Sequence, residues 1–177
     1  MKNAISPIAA AEMIPDGASL LVGGFMGVGS PHRIIEALIT VGRKDLTVIG
    51  NDAGRPNYGI GRLVREQRLK KVVASHIGLN PELQKAMVEG RVEVDLVPQG
   101  TLAERIRAGG YGLGGVLTKT GLGTLAAESG KVIEIDGESW LYGAPIRADF
   151  ALIYAEDADY AGNLTYQLTA TNFNPIM

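Results

Sequence analysis

Between Leu20 and Pro31 the chain reads Leu-Leu-Val-Gly-Gly-Phe-Met-Gly-Val-Gly-Ser-Pro, an order of residue types suited to holding an anion. Leu20 to Val22 form the short apolar run expected of a strand covered on both faces. Gly23, Gly24, Gly27 and Gly29 remove Cβ atoms where the chain turns back, so a ligand can approach the backbone. Ser30 is a good N-cap and Pro31 suits the first position of a helix. The turn is therefore expected to end in free amide N–H groups at the positive end of a helix. The same glycines could serve only to make a tight turn. They also invite a dinucleotide reading, with Asp52 at the distance of a ribose ligand. The spacing does not hold, because a Gly-x-Gly-x-x-Gly beginning at Gly27 needs glycine where His32 stands.

Gln99 is the next candidate. It falls at a predicted strand end, just before Gly100 and a helix start, where open α/β sheets gather their ligands. A neutral amide there can donate to a substrate carboxylate or a developing oxyanion without adding charge, or it can simply bond to backbone. Asn51 and Asp52 close another predicted strand and share this geometry. His32 sits at a helix start, where the dipole disfavours its protonated form; it can touch a ligand or face solvent. His76 reads as a hydrogen-bonded structural histidine. Glu128 stands on a polar turn with nothing to desolvate it, and reads as surface rather than nucleophile.

These residues need a frame, and periodicity supplies one. A first helix runs from Ser6 to Ile14, stopped by Pro15-Asp16-Gly17. After the first strand and the glycine turn comes a helix from Pro31 to Val41, with an Ile34-Ile35-Leu38-Ile39 stripe and Gly42 as C-cap. Strands are predicted at 46–49, 72–74 and 92–97, and helices at 60–67, from Asn80-Pro81 to Gly90 with Leu83, Met87 and Val88 inward, and at 102–108. Strand and helix alternate over short connections, so the fold class is α/β, a mainly parallel sheet flanked by helices. The last third is β-rich. Residues 109–124 are too glycine-broken for a regular helix, 131–135 and 138–142 flank the hairpin signal Asp136-Gly137, and 150–154 and 164–168 read as further strands. No linker or fixed-period repeat interrupts the chain, which reads as a single domain over 1–177.

Bulk properties narrow the function. A formal net charge of −2 offers nothing to nucleic acid or an anionic membrane. The absence of cysteine excludes disulfides, thiolate catalysis and thiolate metal sites. With two histidines and no carboxylate cluster, no metal site is expected. No apolar run approaches the roughly 18 residues of a membrane span, nor is a signal peptide apparent, so a cytoplasmic protein is expected.

The opening signature, Asp16-Gly17, two residues, three apolar residues, Gly23-Gly24-Phe25, three residues, then Gly29-Ser30-Pro31, resembles that of the family I coenzyme A transferases. Three later stretches extend the resemblance: Val97-Pro98-Gln99-Gly100-Thr101-Leu102-Ala103-Glu104-Arg105-Ile106-Arg107, Arg147-Ala148-Asp149-Phe150-Ala151-Leu152-Ile153, and Gly162-Asn163-Leu164-Thr165-Tyr166 with Asn172-Phe173-Asn174-Pro175. Together they are similar to the alpha subunit of a two-subunit acetoacetate/butyrate-type CoA-transferase over essentially the whole chain. Such enzymes move CoA from an acyl-CoA to a free carboxylic acid through an acyl anhydride and a glutamyl-CoA thioester. The resemblance implies that the attacking glutamate belongs to a beta subunit, so this chain holds no catalytic residue of its own and works as part of a hetero-oligomer. It further implies that Gly23, Gly24, Phe25, Met26, Gly27, Val28 and Gly29 form the CoA-associated loop, that Gln99 and Asn51 lie on the substrate side, and that CoA is a substrate with no cofactor required. A 3-oxoadipate-type transferase subunit and a non-catalytic CoA-binding or assembly subunit are the alternatives. Lys119 stands where proline is usual, Tyr111 where a small residue is common, and Gly143-Ala144 where glutamate is frequent; these departures bear on substrate preference. Related alpha subunits continue past Asn174-Pro175, which implies a chain either naturally short or C-terminally truncated.

Overall fold

A computed structural model describes residues 4–124, 127 and 130–177; Glu128 lies outside the described residues. Five parallel strands form the central sheet: β1 (Ser19–Val22), β2 (Leu46–Ile49), β3 (Leu69–Ala74), β4 (Glu93–Leu96) and β8 (Phe150–Leu152), in the order β4-β3-β2-β1-β8. Leu20 pairs with Val48 and Val48 with Val72, while Leu21 pairs with Ile49 and Ile49 with Val73. Because side chains alternate across a strand, these two rows supply opposite faces. Leu20, Val22, Val48 and Val72 enter one core cluster, and Leu21, Ile49 and Val73 enter the other. That double burial is why these strands read as unbroken apolar runs.

The helices follow from the connectivity. α1 (Pro7–Glu12), α2 (His32–Thr40), α3 (Gly61–Arg65) and α4 (Pro81–Val88) contribute Ala11, Ile35, Leu38, Leu63 and Leu83 to the first cluster. Successive right-handed crossovers β1-α2-β2-α3-β3-α4-β4 all move the same way along the sheet, so their helices share a face. α5 (Gln99–Tyr111) covers the other face with Leu102 and Ile106. Ser6 caps α1 through a 3.1 Å bond from the Ala9 amide. α2 ends in a Schellman-type turn, with Gly42 at φ +79°, its amide donating to Ile39 O and that of Arg43 to Leu38 O.

Between α5 and β8 the chain builds a three-stranded antiparallel sheet of β5 (Val116–Thr118), β7 (Glu138–Gly143) and β6 (Lys131–Ile135), in the order β5-β7-β6. Asp136 (φ +53°) and Gly137 (φ +78°) make its hairpin turn as expected. β9 (Asp157–Ala158) and β10 (Leu164–Thr165) form a small antiparallel pair before the terminal 3₁₀ turns at Leu168–Thr171 and Asn174–Ile176.

Several sequence expectations shift. β3 starts at Leu69, earlier than predicted, because Lys71 is satisfied within the sheet by Glu93 opposite it, at 2.6 Å. In α4 the buried residues are Leu83 and Ala86, whereas Met87 is 38% and Val88 81% exposed; the small Ala86, not Met87, sets the packed face. α5 runs through Gly109 and Gly110 to Tyr111. There glycine permits contact: a Cβ on Gly109 would lie 1.9 Å from the Ile146 carbonyl oxygen. Leu168 leaves the predicted last strand for a 3₁₀ turn at φ +50°.

Candidate functional site

Among the described residues, Gly23 to Gly29, Asn51, Asp52, His76 and Gln99 all follow the carboxyl ends of parallel strands. β1 runs into the glycine turn, β2 into Gly50-Asn51-Asp52, β3 into Ser75-His76, and β4 through Val97-Pro98 into Gln99, the first residue of α5. Gln99 and Asn51, 48 positions apart, are in direct contact: Gln99 Nε2 donates to Asn51 Oδ1 at 2.6 Å. Gln99 is exposed and Asn51 buried, so the pair spans from the sheet to the surface. Ser75 donates its hydroxyl to Asn51 O (2.7 Å) and Oδ1 (3.2 Å) from the adjacent strand end. No feature of the sequence singled out Ser75; its position after β3, next to β2, was the available signal.

The glycine turn differs from the expected anion seat. Phe25 and Val28 exchange hydrogen bonds in both directions, N to O, at 3.0 and 2.9 Å. Met26 (φ +52°) and Gly27 (φ +88°) sit between them, both left-handed, which is a type I′ turn. The Met26 amide donates behind the turn to Asp52 Oδ2 at 2.7 Å, the Gly23 amide to Leu152 O and the Ser30 amide to Gly27 O. These N–H groups are consumed inside the protein and do not form a phosphate nest. Ser30 is buried but caps nothing; α2 begins at His32, and the cap position, Pro31, makes no side-chain bond. Its Oγ instead occupies the space beside Gly24, where a Cβ would come within 2.5 Å.

Asp52 is 6% exposed, and its carboxylate takes three donors: Met26 N and Asn51 Nδ2 (2.8 Å) on Oδ2, and Gly54 N (2.7 Å) on Oδ1. So committed, it has no role as a ribose ligand, and the dinucleotide reading fails on this point. His32 lies against Tyr58, ring centroids 4.6 Å apart, and Tyr58 in turn fills the space a Cβ on Gly27 would need. His76 is exposed, its backbone bridging to Asp52.

The underside of the turn is fixed by the C-terminal segment. Asn174 is 1% exposed; its Nδ2 donates to Gly29 O (3.0 Å) and Ala170 O (2.9 Å), and its Oδ1 accepts from Tyr154 N (3.0 Å). A Cβ on Gly23 would lie 1.9 Å from Asn174 Oδ1, so this glycine makes room for the asparagine. Asn172 Nδ2 reaches Val28 O at 3.0 Å. Hydrogen bonding to Glu156 holds the Tyr154 phenol above its ordinary pKa. On the outer side of the turn opens a cleft of about 800 Å³, walled by Phe25, Val28, Tyr58 and Leu168 and lined also by Arg55. Among the described residues no cluster of three or more His, Asp or Glu could hold a metal ion, and no helix is long and apolar enough to cross a membrane.

Comparison with known proteins is consistent across sequence and fold. A family-wide profile described as Coenzyme A transferase matches residues 5–177. The acetate CoA-transferase subunit alpha of Escherichia coli K12 is 54% identical, over 92% of this chain and 74% of that protein. The acetoacetyl-CoA:acetate/butyrate CoA transferase alpha subunit of Clostridium acetobutylicum is 50% identical over the same shares. Among solved structures, an acyl-CoA transferase from E. coli O157:H7, in a thioester complex with CoA, superposes with a TM-score of 0.82 at 26% identity. That match covers 92% of this chain and 36% of the larger one.

Proposed function

The chain belongs to the coenzyme A transferase family, and we propose that it is the alpha subunit of a two-subunit acyl-CoA:carboxylate CoA-transferase acting on short-chain acids such as acetoacetate, acetate and butyrate. CoA is its substrate and no resident cofactor is needed; the 177 residues act as one domain, in the cytoplasm. In this reading the partner's glutamate attacks the thioester carbon, the CoA thiolate leaves, and an acyl–glutamyl anhydride forms. The thiolate then attacks the glutamyl carbonyl, the first acid departs, and a glutamyl-CoA thioester awaits the second acid. Each attack passes through a tetrahedral oxyanion, which needs a donor already in place.

The Gln99–Asn51 contact of 2.6 Å at adjoining strand ends carries the proposal. Gln99 Nε2 has two hydrogens; one is bound to Asn51, and the other is free to meet an oxyanion at the exposed end of the pair. The glycine turn, residues 23–29, stands next to it as the CoA-associated element. Its cleft joins apolar walls to one guanidinium, complementary to a ligand with a long neutral arm and phosphates. The carboxylate against the amide pair, Asp52, is held by three donors and is poorly suited to attack, which supports a nucleophile supplied by the neighbour.

The test is Gln99→Ala in the complex reconstituted with the beta subunit, assayed against a panel of short carboxylic acids and 3-oxoadipate. Loss of one oxyanion donor is expected to lower kcat by about 10²–10³-fold with assembly intact. Unchanged kinetics would remove Gln99 from the site, and preferential turnover of 3-oxoadipate would reassign the substrate.

A further inference from the structure

We infer that Asp52 is a positioning residue that fixes the polarity of the Asn51–Gln99 amide pair and couples this pair to the glycine turn. The inference rests on the reading above that Gln99 serves the reacting acyl group. An ionised carboxylate only accepts hydrogen bonds, whereas an amide can present either end. Asp52 Oδ2 faces Asn51 at 2.8 Å, so Asn51 must turn Nδ2 toward it. Asn51 Oδ1 is then left facing Gln99 and the Ser75 hydroxyl, and an acceptor oxygen can be met only by Gln99 Nε2. Reversing Asn51 would set oxygen against oxygen beside Asp52, in a place with almost no water to intervene.

The consequence lies at the surface end of the chain. With one Nε2 hydrogen spent on Asn51, the same nitrogen presents its second hydrogen, a donor, toward developing negative charge. If Asn51 could turn over, its Nδ2 would face Gln99, which would have to turn and present Oε1 as acceptor; Nε2 would leave its present place, and the donor geometry needed by the oxyanion would be lost. Met26 N on the same Oδ2, at 2.7 Å, ties the backbone of the glycine turn to this arrangement. One carboxylate oxygen thus sets both the loop and the amide pair, while Gly54 N on Oδ1 anchors the carboxylate itself.

The experiment compares Asp52→Asn, Gln99→Ala and the double variant in the reconstituted complex, reading kcat, KM and thermal midpoint. Asp52→Asn keeps an oxygen for Gly54 N but loses the acceptor-only face. It should lower kcat by about 10²-fold with KM for acyl-CoA little changed, and the double variant should be no slower than Gln99→Ala alone. Multiplying losses, or a wild-type kcat for Asp52→Asn, would overturn the assignment. Should Asp52→Asn fail to assemble, Gln99→Glu at the exposed position provides a second reading, in a crystal structure of the complex. The new carboxylate should swing away from Asn51, which stays bonded to Asp52; a carboxylate still hydrogen-bonded to Asn51 would mean that the asparagine is free to turn, and would overturn the idea. A wild-type kcat for Gln99→Ala would refute the role of Gln99 instead, leaving the crystallographic comparison to decide the polarity claim.

Discussion

Arg55 and Asn174 approach the glycine turn from opposite sides and do opposite kinds of work. Arg55 lines an otherwise mainly apolar cleft, and in the proposed function its charge serves ligand recognition. Arg55→Ala is expected to raise KM for acyl-CoA about tenfold, the scale of one charge-assisted bond, with kcat and thermal stability nearly unchanged; steady-state kinetics at varied acyl-CoA check it. Asn174 belongs to stability, because its three bonds close backbone groups of three segments. Asn174→Ala strands buried polar groups and should cost about 1–3 kcal/mol, measurable by denaturant unfolding. The placement of Gln99 and Asn51 at strand ends was legible in the sequence from the alternation of strands and helices, and strand ends of an α/β sheet are where ligands collect. The work of Asp52 was not, since no local pattern reports a bond from residue 52 to residue 26. Ser30 misled for the same reason: the type of a cap is visible in sequence, but the glycine it packs against is not.

Among the elements, the glycine turn is the most demanding of its residue types. Gly27 combines φ +88° with a Tyr58 ring that a Cβ would strike at 2.2 Å. Gly27→Ala should therefore destabilise the fold by about 1–3 kcal/mol from the backbone conformation alone and displace Tyr58, detectable as a lower thermal midpoint. A second element-level prediction concerns the β1–β8 pairing. Asp149 accepts from Ser19 N (2.8 Å) and Ser19 Oγ (2.6 Å), and these bonds hold its pKa below the ordinary value. A lowered folded-state pKa contributes stability that is fully present above the unfolded value of about 4 and is lost as pH falls through the folded one. Asp149→Asn should thus flatten the acid decline of the thermal midpoint below about pH 4, as pH-dependent melts of the two proteins would reveal. β1 and β2 were legible because double burial writes nearly unbroken apolar runs, and the Asp136-Gly137 hairpin because its turn needs two left-handed residues. The α4 face and the start of β3 were not, since Ala86 hides a packed position and Lys71 is made compatible with a strand by Glu93 across the sheet.

At the scale of the molecule, one sheet end gathers the turn, the amide pair and the cleft, while the interior on both faces is given over to packing. The carboxylate there is already committed to holding the site together. In the proposed function this chain positions and binds, and a neighbour attacks. The most direct measurement is thioester exchange between acetoacetyl-CoA and acetate by the purified chain alone, by a purified beta subunit alone, and by the two mixed. The prediction is transfer in the mixture and none above background in either separate sample; full turnover by the lone chain would contradict it.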